Sequence, residues 1–360
     1  MKIWQVITFI ACLPLFVSAQ YNLKVLDTLS YTTTNITTPI QYHKLSFRGM
    51  SVVNEKVVWV SGNQSVVGRS TNGGKSFTLM QIQGYPGLEL RAIKALDKDA
   101  AIAVSSGSPA YIFKTFDGGI SWRKVFEDQR PEIFLDAVDF WNKDKGVVIG
   151  DPINRRFVLF KTMDGGNTWH PFDTAMQPWA VTGESLFAAS GTSFKCMPKG
   201  SIAFVTGGSV SVMHWLQIDK KYQRFELKSM LQGKNSQGAF SFAFNNNSIL
   251  IVGGDYASDT TKSKYGAYSY KYSKDGLELL NMKPFYSGYR SCVSFIGSSP
   301  EFITCGTSGV DINNLNRIIL YPIQGKGNIS KESFNVVQSD KTGKLVVLAG
   351  SKGKIAILTQ

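Results

Sequence analysis

An apolar strand that stops at glycine recurs along this chain. It reads VVWVSG to Gly62, AIAVSSG to Gly107, GVVIG to Gly150, IAFVTG to Gly207, ILIVGG to Gly253, EFITCG to Gly306 and LVVLAG to Gly350. Successive stops lie 45, 43, 57, 46, 53 and 44 residues apart. Before each stands another short strand, FRGMSVV, LRAIKAL, LDAVDFW, FKCMPKG, FAFNNNS, SCVSFIG or FNVVQSD, joined by a tight polar turn such as Asn54-Glu55-Lys56. A third strand follows, clearest in YIFKT, FVLFK and AYSYKY. Alternating β-branched and aromatic residues mark strands, Gly, Asn and Asp mark turns, and helical periodicity is nearly absent. A repeat of this length with about four strands per unit predicts an all-β fold, a seven-bladed β-propeller.

The seventh unit offers only FNVVQ, KLVVLAG and KIAIL before Gln360. The segment at 21–32, YNLKVLDTLSYT, is expected to supply its missing strand, closing the ring by pairing the N- and C-terminal strands and hiding the exposed edges. One propeller domain is then expected over residues 20–360.

A second refrain is polar. KTFDGGISW at 114–122 returns as KTMDGGNTW at 161–169 and, altered, as RSTNGGKSF at 69–77. In a four-stranded blade it falls between the third and outermost strands. There the Asp accepts backbone N–H groups, the paired glycines permit positive φ, and the Trp packs between blades. Thr115, Asp117, Gly119 and Trp122, like Thr162, Asp164, Gly166 and Trp169, resemble the Asp-box, or BNR repeat, and Ser70, Asn72, Gly74 and Phe77 resemble it with two conservative losses. The resemblance implies turns that hold the fold together, away from any centre of chemistry.

Candidate ligand-binding groups come from the opposite face, where inner strands begin. FRGM, LRAI and YRSC put Arg48, Arg91 and Arg290 at matching starts, with Asp136 of LDAV at the corresponding place in the third unit. Loops after the second strands add Asp151, Arg155 and Arg156, then Asp255, Lys262 and Lys264, then Asp311 and Arg317. The longest interval carries an insertion with Trp179 and Glu184. Guanidinium groups converging on one mouth suit a carboxylate or phosphate. The alternative is that each Arg pairs with a neighbouring blade and staples the ring.

Composition refines this picture. The first twenty residues combine Lys2, an apolar run and Val17-Ser18-Ala19, the pattern of a leader cleaved after Ala19, so a secreted or periplasmic protein is expected, without an integral membrane segment. A lipid anchor at Cys12 is disfavoured, because the apolar run continues past it. Cys196, Cys292 and Cys305 remain; they are read as small buried hydrophobes, with a Cys292–Cys305 hairpin disulfide as the alternative. No Cys or His spacing indicates a metal and no dinucleotide motif a cofactor, so none is expected. The formal charge is +13, which agrees with an acidic partner, and no nucleic-acid motif is present. A monomer is expected.

The whole mature chain, through its Arg-bearing inner strands, glycine stops and T-x-D-G-G-x-[TS]-W boxes, looks like the propeller family that includes photosystem II stability and assembly factors, in a non-photosynthetic bacterial member. That resemblance implies a propeller that binds a protein or peptide on an Arg-rich face and helps assembly; no catalysis is expected. Sialidases also join Asp-boxes to a propeller and supply the enzyme alternative, hydrolysis of an acidic glycan. In that reading Glu184, Asp151 and Asp136 are the available carboxylates, to be set about 5 to 10 Å apart across a cleft. The sialidase Arg-Ile-Pro motif is missing, since Gly49-Met50 follows Arg48.

Overall fold

The computed structural model describes residues 21–26, 30–217, 221–246, 248–260, 267–273, 276–283, 288–316, 320–321, 323–324 and 332–359. Residues 1–19, where a leader is expected, and Lys262, Lys264 and Arg317 lie outside them. Among the described residues, no helix is long and apolar enough to cross a membrane.

Each repeat forms an antiparallel meander, here called a blade, numbered along the chain. Blade one comprises Phe47–Val52, Val58–Gly62, Val66–Ser70 and Phe77–Gln81; blade two Glu89–Ala95, Ala101–Ser106, Ala110–Thr115 and Arg123–Asp128; blade three Leu135–Phe140, Gly146–Ile153, Arg156–Thr162 and His170–Pro171. Blade four comprises Phe194–Met197, Ser201–Gly208, Val212–Gln217 and Lys221–Glu226, and blade five Lys234–Asn245, Ser248–Asp255, Ala267–Ser273 and Gly276–Lys283. Blade six comprises Cys292–Phe295, Glu301–Gly306, Gly309–Asn314 and Leu320–Tyr321. Blade seven takes Val336–Ser339, Val346–Ala349 and Ile355–Thr359 from the C-terminus and Tyr21–Val25 from the N-terminus.

The termini therefore close the ring, with Asn22–Val25 antiparallel to Ala356–Thr359. The closing strand is shorter than the expected 21–32. Tyr31–Thr33 instead runs parallel to Phe77–Leu79 on the outer edge of blade one.

Apolar residues pack between blades. Trp59 and Val67 of blade one meet Ile93 and Phe113 of blade two. Ile102 and Ile112 meet Val148 and Trp169, and Ile149 and Phe157 meet Phe204. Val205 and Trp215 meet Phe242 and Tyr268, and Leu250 meets Val293 and Phe302. The last cluster joins Ile303 of blade six, Val336 and Val347 of blade seven, and Phe47 and Val60 of blade one. Each blade buries both faces on its neighbours, so the core runs round the ring.

The three repeated turns share one geometry between third and outer strands. Thr115 Oγ1 donates to Asp117 Oδ1 at 2.9 Å and accepts Gly119 N at 3.0 Å, while Asp117 Oδ1 accepts Ser121 N at 2.9 Å. Thr162, Asp164, Gly166 and Thr168 repeat these bonds at 2.8, 2.8 and 3.0 Å. Ser70, Asn72, Gly74 and Ser76 do so at 3.0, 2.9 and 3.0 Å, so the asparagine serves as well as the acid. Gly119 and Gly166 have φ of 91° and 83°, where a side chain is strained. Trp122 meets Trp59 edge-on at 6.4 Å, and Trp169 meets Phe140 at 6.0 Å.

Candidate ligand site at the propeller mouth

The inner strands carry a repeated irregularity that builds the site. In blade one the ladder passes from Phe47–Gly62 to Gly49–Ser61, leaving Arg48 as an extra residue. Blade two skips Arg91 between Leu90 and Ala92, blade three skips Asp136 between Leu135 and Ala137, and blade five skips Phe240 between Ala239 and Ser241. A β-bulge re-aims the side chain it frees. All four line a single cavity of about 440 Å³. The recurrent glycine serves this construction: a Cβ at Gly62 would stand 2.4 Å from Ser46 O, and one at Gly150 would stand 2.2 Å from Phe134 O.

Arg290 occupies a different place from Arg48 and Arg91. Cys292 pairs with Cys305 as Gly49 pairs with Ser61, so Ser291, not Arg290, is the equivalent of Arg48. Ser291 lines the cavity, as does Asn335 in blade seven. Strand side chains alternate, so an offset of one residue sends Arg290 to the other face. It is wholly buried, donating Nε to Asp311 Oδ2 at 2.8 Å and Nη1 to Tyr289 O at 2.9 Å and Ser308 Oγ at 2.8 Å. Cys292 and Cys305 face each other across the hairpin as free, buried thiols, and Cys196 is also free.

The other two arginines are held loosely. Arg48 Nη1 donates to Ala189 O and Arg91 Nη1 to Ala188 O, each at 3.4 Å. Arg91 Nε is 3.5 Å from Glu89 Oε2 and has no hydrogen-bond partner among the described residues. Burial, then the neighbouring Arg91, lowers the Arg48 pKa from its ordinary value.

Ala188 and Ala189 belong to the insertion after blade three, which reaches into the ring. Ser190 Oγ donates to Ser291 O at 2.9 Å, and Phe242 N donates to Thr192 O at 3.3 Å. The segment lines the mouth with Ala188 and Ala189, and a second cavity of about 190 Å³ with Gly191 and Thr192. Phe187 stacks on Phe240 at 3.7 Å, and Phe240 meets Tyr289 edge-on at 4.7 Å and Tyr256 at 6.1 Å. These four rings form an aromatic wall in the same cavity as the arginines.

Two carboxylates share that cavity. Asp136 is fully buried, and neither of its oxygens has a hydrogen-bond partner among the described residues. The nearby Asp151 N–H weakly favours the ionised form but is committed to Phe134 O at 2.9 Å, so it fills neither oxygen. Burial and then the Asp151 charge push the Asp136 carboxyl well above the usual carboxylate range, against the pull of Arg91. Asp151 accepts Leu186 N at 2.9 Å, and burial raises it to about 6.

The remaining candidates lie apart. Glu184 is 2% exposed in a closed network: its Oε1 is 2.7 Å from His214 Nε2 and accepts Thr206 Oγ1 at 2.7 Å, and its Oε2 accepts Val181 N at 3.0 Å. Arg155 Nε donates to Ala180 O at 3.3 Å and Arg156 Nη1 to Gln177 O at 2.9 Å, tying down the insertion. Trp179 is exposed beside the Arg224 guanidinium, 5.8 Å from its ring centre. None of these four lines the mouth. Asp255 has its oxygens on Ala257 N and Gln237 Nε2, each at 3.0 Å.

No family model and no curated protein matches the sequence. Solved structures do. One described as YCF48 bound to D1 peptide aligns with a TM-score of 0.63 at 11% identity, covering 95% of this chain and 97% of that one. The WD40 domain of Neurospora crassa Pan2 aligns with a TM-score of 0.63 at 14% identity, covering 94% of this chain and 95% of that one. Together with the closed ring of antiparallel blades, these likenesses show that the chain has the β-propeller fold.

Proposed function

We propose that this protein is an exported, monomeric, non-catalytic propeller that binds a segment of protein or peptide by a carboxylate at the mouth lined by Arg48 and Arg91. One observation carries the reading: two guanidinium groups stand at equivalent bulges on adjacent blades, each donating to a carbonyl at a long 3.4 Å, with Glu89 Oε2 a further 3.5 Å from Arg91 Nε. A carboxylate accepts paired N–H bonds from guanidinium at shorter distances, so it displaces those carbonyls with a net gain. The aromatic wall gives the rest of the segment an apolar face, and aromatic and Arg side chains dominate such anchors. A peptide occupies a structural neighbour of the same fold, which supports a peptide here. The repeated turns, read as Asp-boxes, hold the blades.

Hydrolysis of an acidic glycan is the second reading, favoured by Asp136 and Asp151 lining one cavity with raised pKa values. Glu184, committed to His214 and Thr206, takes no part in it.

Calorimetric titration of the mature protein with panels of acidic peptides and acidic glycans, with product analysis, tests both. Saturable peptide binding without product, lost in Arg48→Ala/Arg91→Ala, is the expected result. Sugar release that disappears in Asp151→Asn overturns it in favour of an enzyme.

A further inference from the structure

The arginines explain only half of the mouth. Asp136 stands at the same bulge as Arg48 and Arg91, one blade further on, wholly buried with both oxygens unpartnered among the described residues. A buried carboxylate without donors is costly, and the protein could hold apolar Phe there, as it does at Phe240 of blade five. The groups are complementary: Arg91 Nε has only the distant Glu89 Oε2, at 3.5 Å, and Asp136 Oδ1 and Oδ2 lack donors among the described residues. A ligand with a carboxylate alone satisfies the first and leaves the second.

We propose that Asp136, flanked by Asp151, forms a cation-accepting subsite beside the arginine pair, so that the preferred ligand is zwitterionic and offers an ammonium or guanidinium group as well as a carboxylate. The inference rests on the reading of Arg48 and Arg91 as carboxylate anchors. An ammonium group brings three donors, enough for both Asp136 oxygens and one from Asp151. The aromatic wall adds ring faces that attract a cation. The charged groups facing Asp136 are Asp151 and Arg91, with Arg48 in the same cavity. Burial and Asp151 keep a proton on Asp136 in the empty site, and a bound cation favours its ionised form, so binding expels a proton.

The test uses ω-amino acids from glycine to aminohexanoate, each compared with the unaminated acid of the same length, titrated calorimetrically in two buffers of different ionisation enthalpy. At least one amino acid should bind about tenfold tighter than its acid, the gain expected from a charge-assisted hydrogen bond, and should release protons. In Asp136→Asn that ratio should fall to near one and the proton release should vanish, with near-ultraviolet circular dichroism reporting an intact fold. If the acids bind, lose affinity in Arg91→Gln, and are never outdone by their amino counterparts, the zwitterion subsite is overturned and the anion mouth stands. If acids bind without proton release, outdo their amino counterparts and lose that advantage in Asp136→Leu, Asp136 donates the proton it already holds to the carboxylate as a hydrogen bond, and the subsite is likewise overturned. Failure of every acid and amino acid to bind overturns both readings.

Discussion

Arg48 and Arg91 occupy the same bulge on neighbouring inner strands, and their Nη1 atoms donate to consecutive carbonyls of one segment, Ala189 and Ala188, at 3.4 Å each. Such long bonds stabilise little, and exchanging them for a ligand costs little. Either arginine changed to Gln should leave stability within about 1 kcal/mol of the parent, as substitutions outside buried networks do, while weakening acidic-peptide binding about tenfold or more. Urea melts beside calorimetric titration measure both quantities. A loss of several kcal/mol would show that the arginines hold the ring.

Arg290 should behave in the opposite way. Its guanidinium is wholly buried and bonded to Asp311, Tyr289 and Ser308. Removing one member of a buried pair leaves the other charge uncompensated, at about 3–5 kcal/mol. Arg290→Met should therefore lower the urea midpoint sharply. If it instead melts like the parent and loses only ligand affinity, Arg290 acts at the mouth after all.

The contrast among the three arginines shows how far the sequence reads. The fold was legible because strand, turn and glycine recur at intervals of 43 to 57 residues, and each copy demands the same pairing. The site was legible only in part. Arg48, Arg91, Asp136 and Asp151 do share one cavity, but YRSC resembles FRGM by eye while the ladder aligns Ser291 with Arg48. One residue of register reverses the face, and a bulge makes that register invisible in an alternating pattern. The aromatic wall is not legible in the apolar alternation alone; its signal is the alignment of GAFSF with SFRGM, which sets Phe240 at the position of Arg48. Glu184 looked available because nothing in the sequence brings His214 and Thr206 beside it; strand pairing of Glu184 with Gly208 does so.

The turn locks predict equal effects from unequal sequences. Thr162→Val removes the donor to Asp164 and the acceptor for Gly166 N, and Ser70→Ala removes the same pair in blade one. Each should cost about 1–3 kcal/mol, the range for two bonds of which one leaves a buried N–H unsatisfied. The two differ in their response to acid. Burial raises the Asp164 carboxyl, but hydrogen bonds from Thr168, Thr162 and Asn167 outweigh it and hold it at about 2. Its contribution is complete above the ordinary 3.8 and is lost as pH falls through about 2. Asn72 does not titrate. Asp164→Asn should therefore flatten the acid limb of the stability profile, and an unchanged limb refutes the assignment.

The Asp136–Asp151 pair makes the final prediction, with the opposite sign. Burial raises Asp151 from 3.8 to about 6, so the folded protein binds this proton more tightly than the unfolded chain does. Stability from the group is then highest in acid, declines as pH rises from about 3.8 through about 6, and stays low above that. At one pKa unit per about 1.4 kcal/mol, the loss on this single group is on the order of 2–3 kcal/mol. Asp151→Asn keeps an oxygen to accept Leu186 N and abolishes the titration. The variant should match the parent near pH 4 and exceed its unfolding free energy at pH 7 by about that amount. Urea melts at the two pH values decide the matter: a constant difference between parent and variant would mean that Asp151 titrates normally and that the mouth is more hydrated than its walls imply. A difference that appears only at pH 7 would instead mark the mouth as a place where the fold gives up stability to keep two carboxyl groups in one buried cavity.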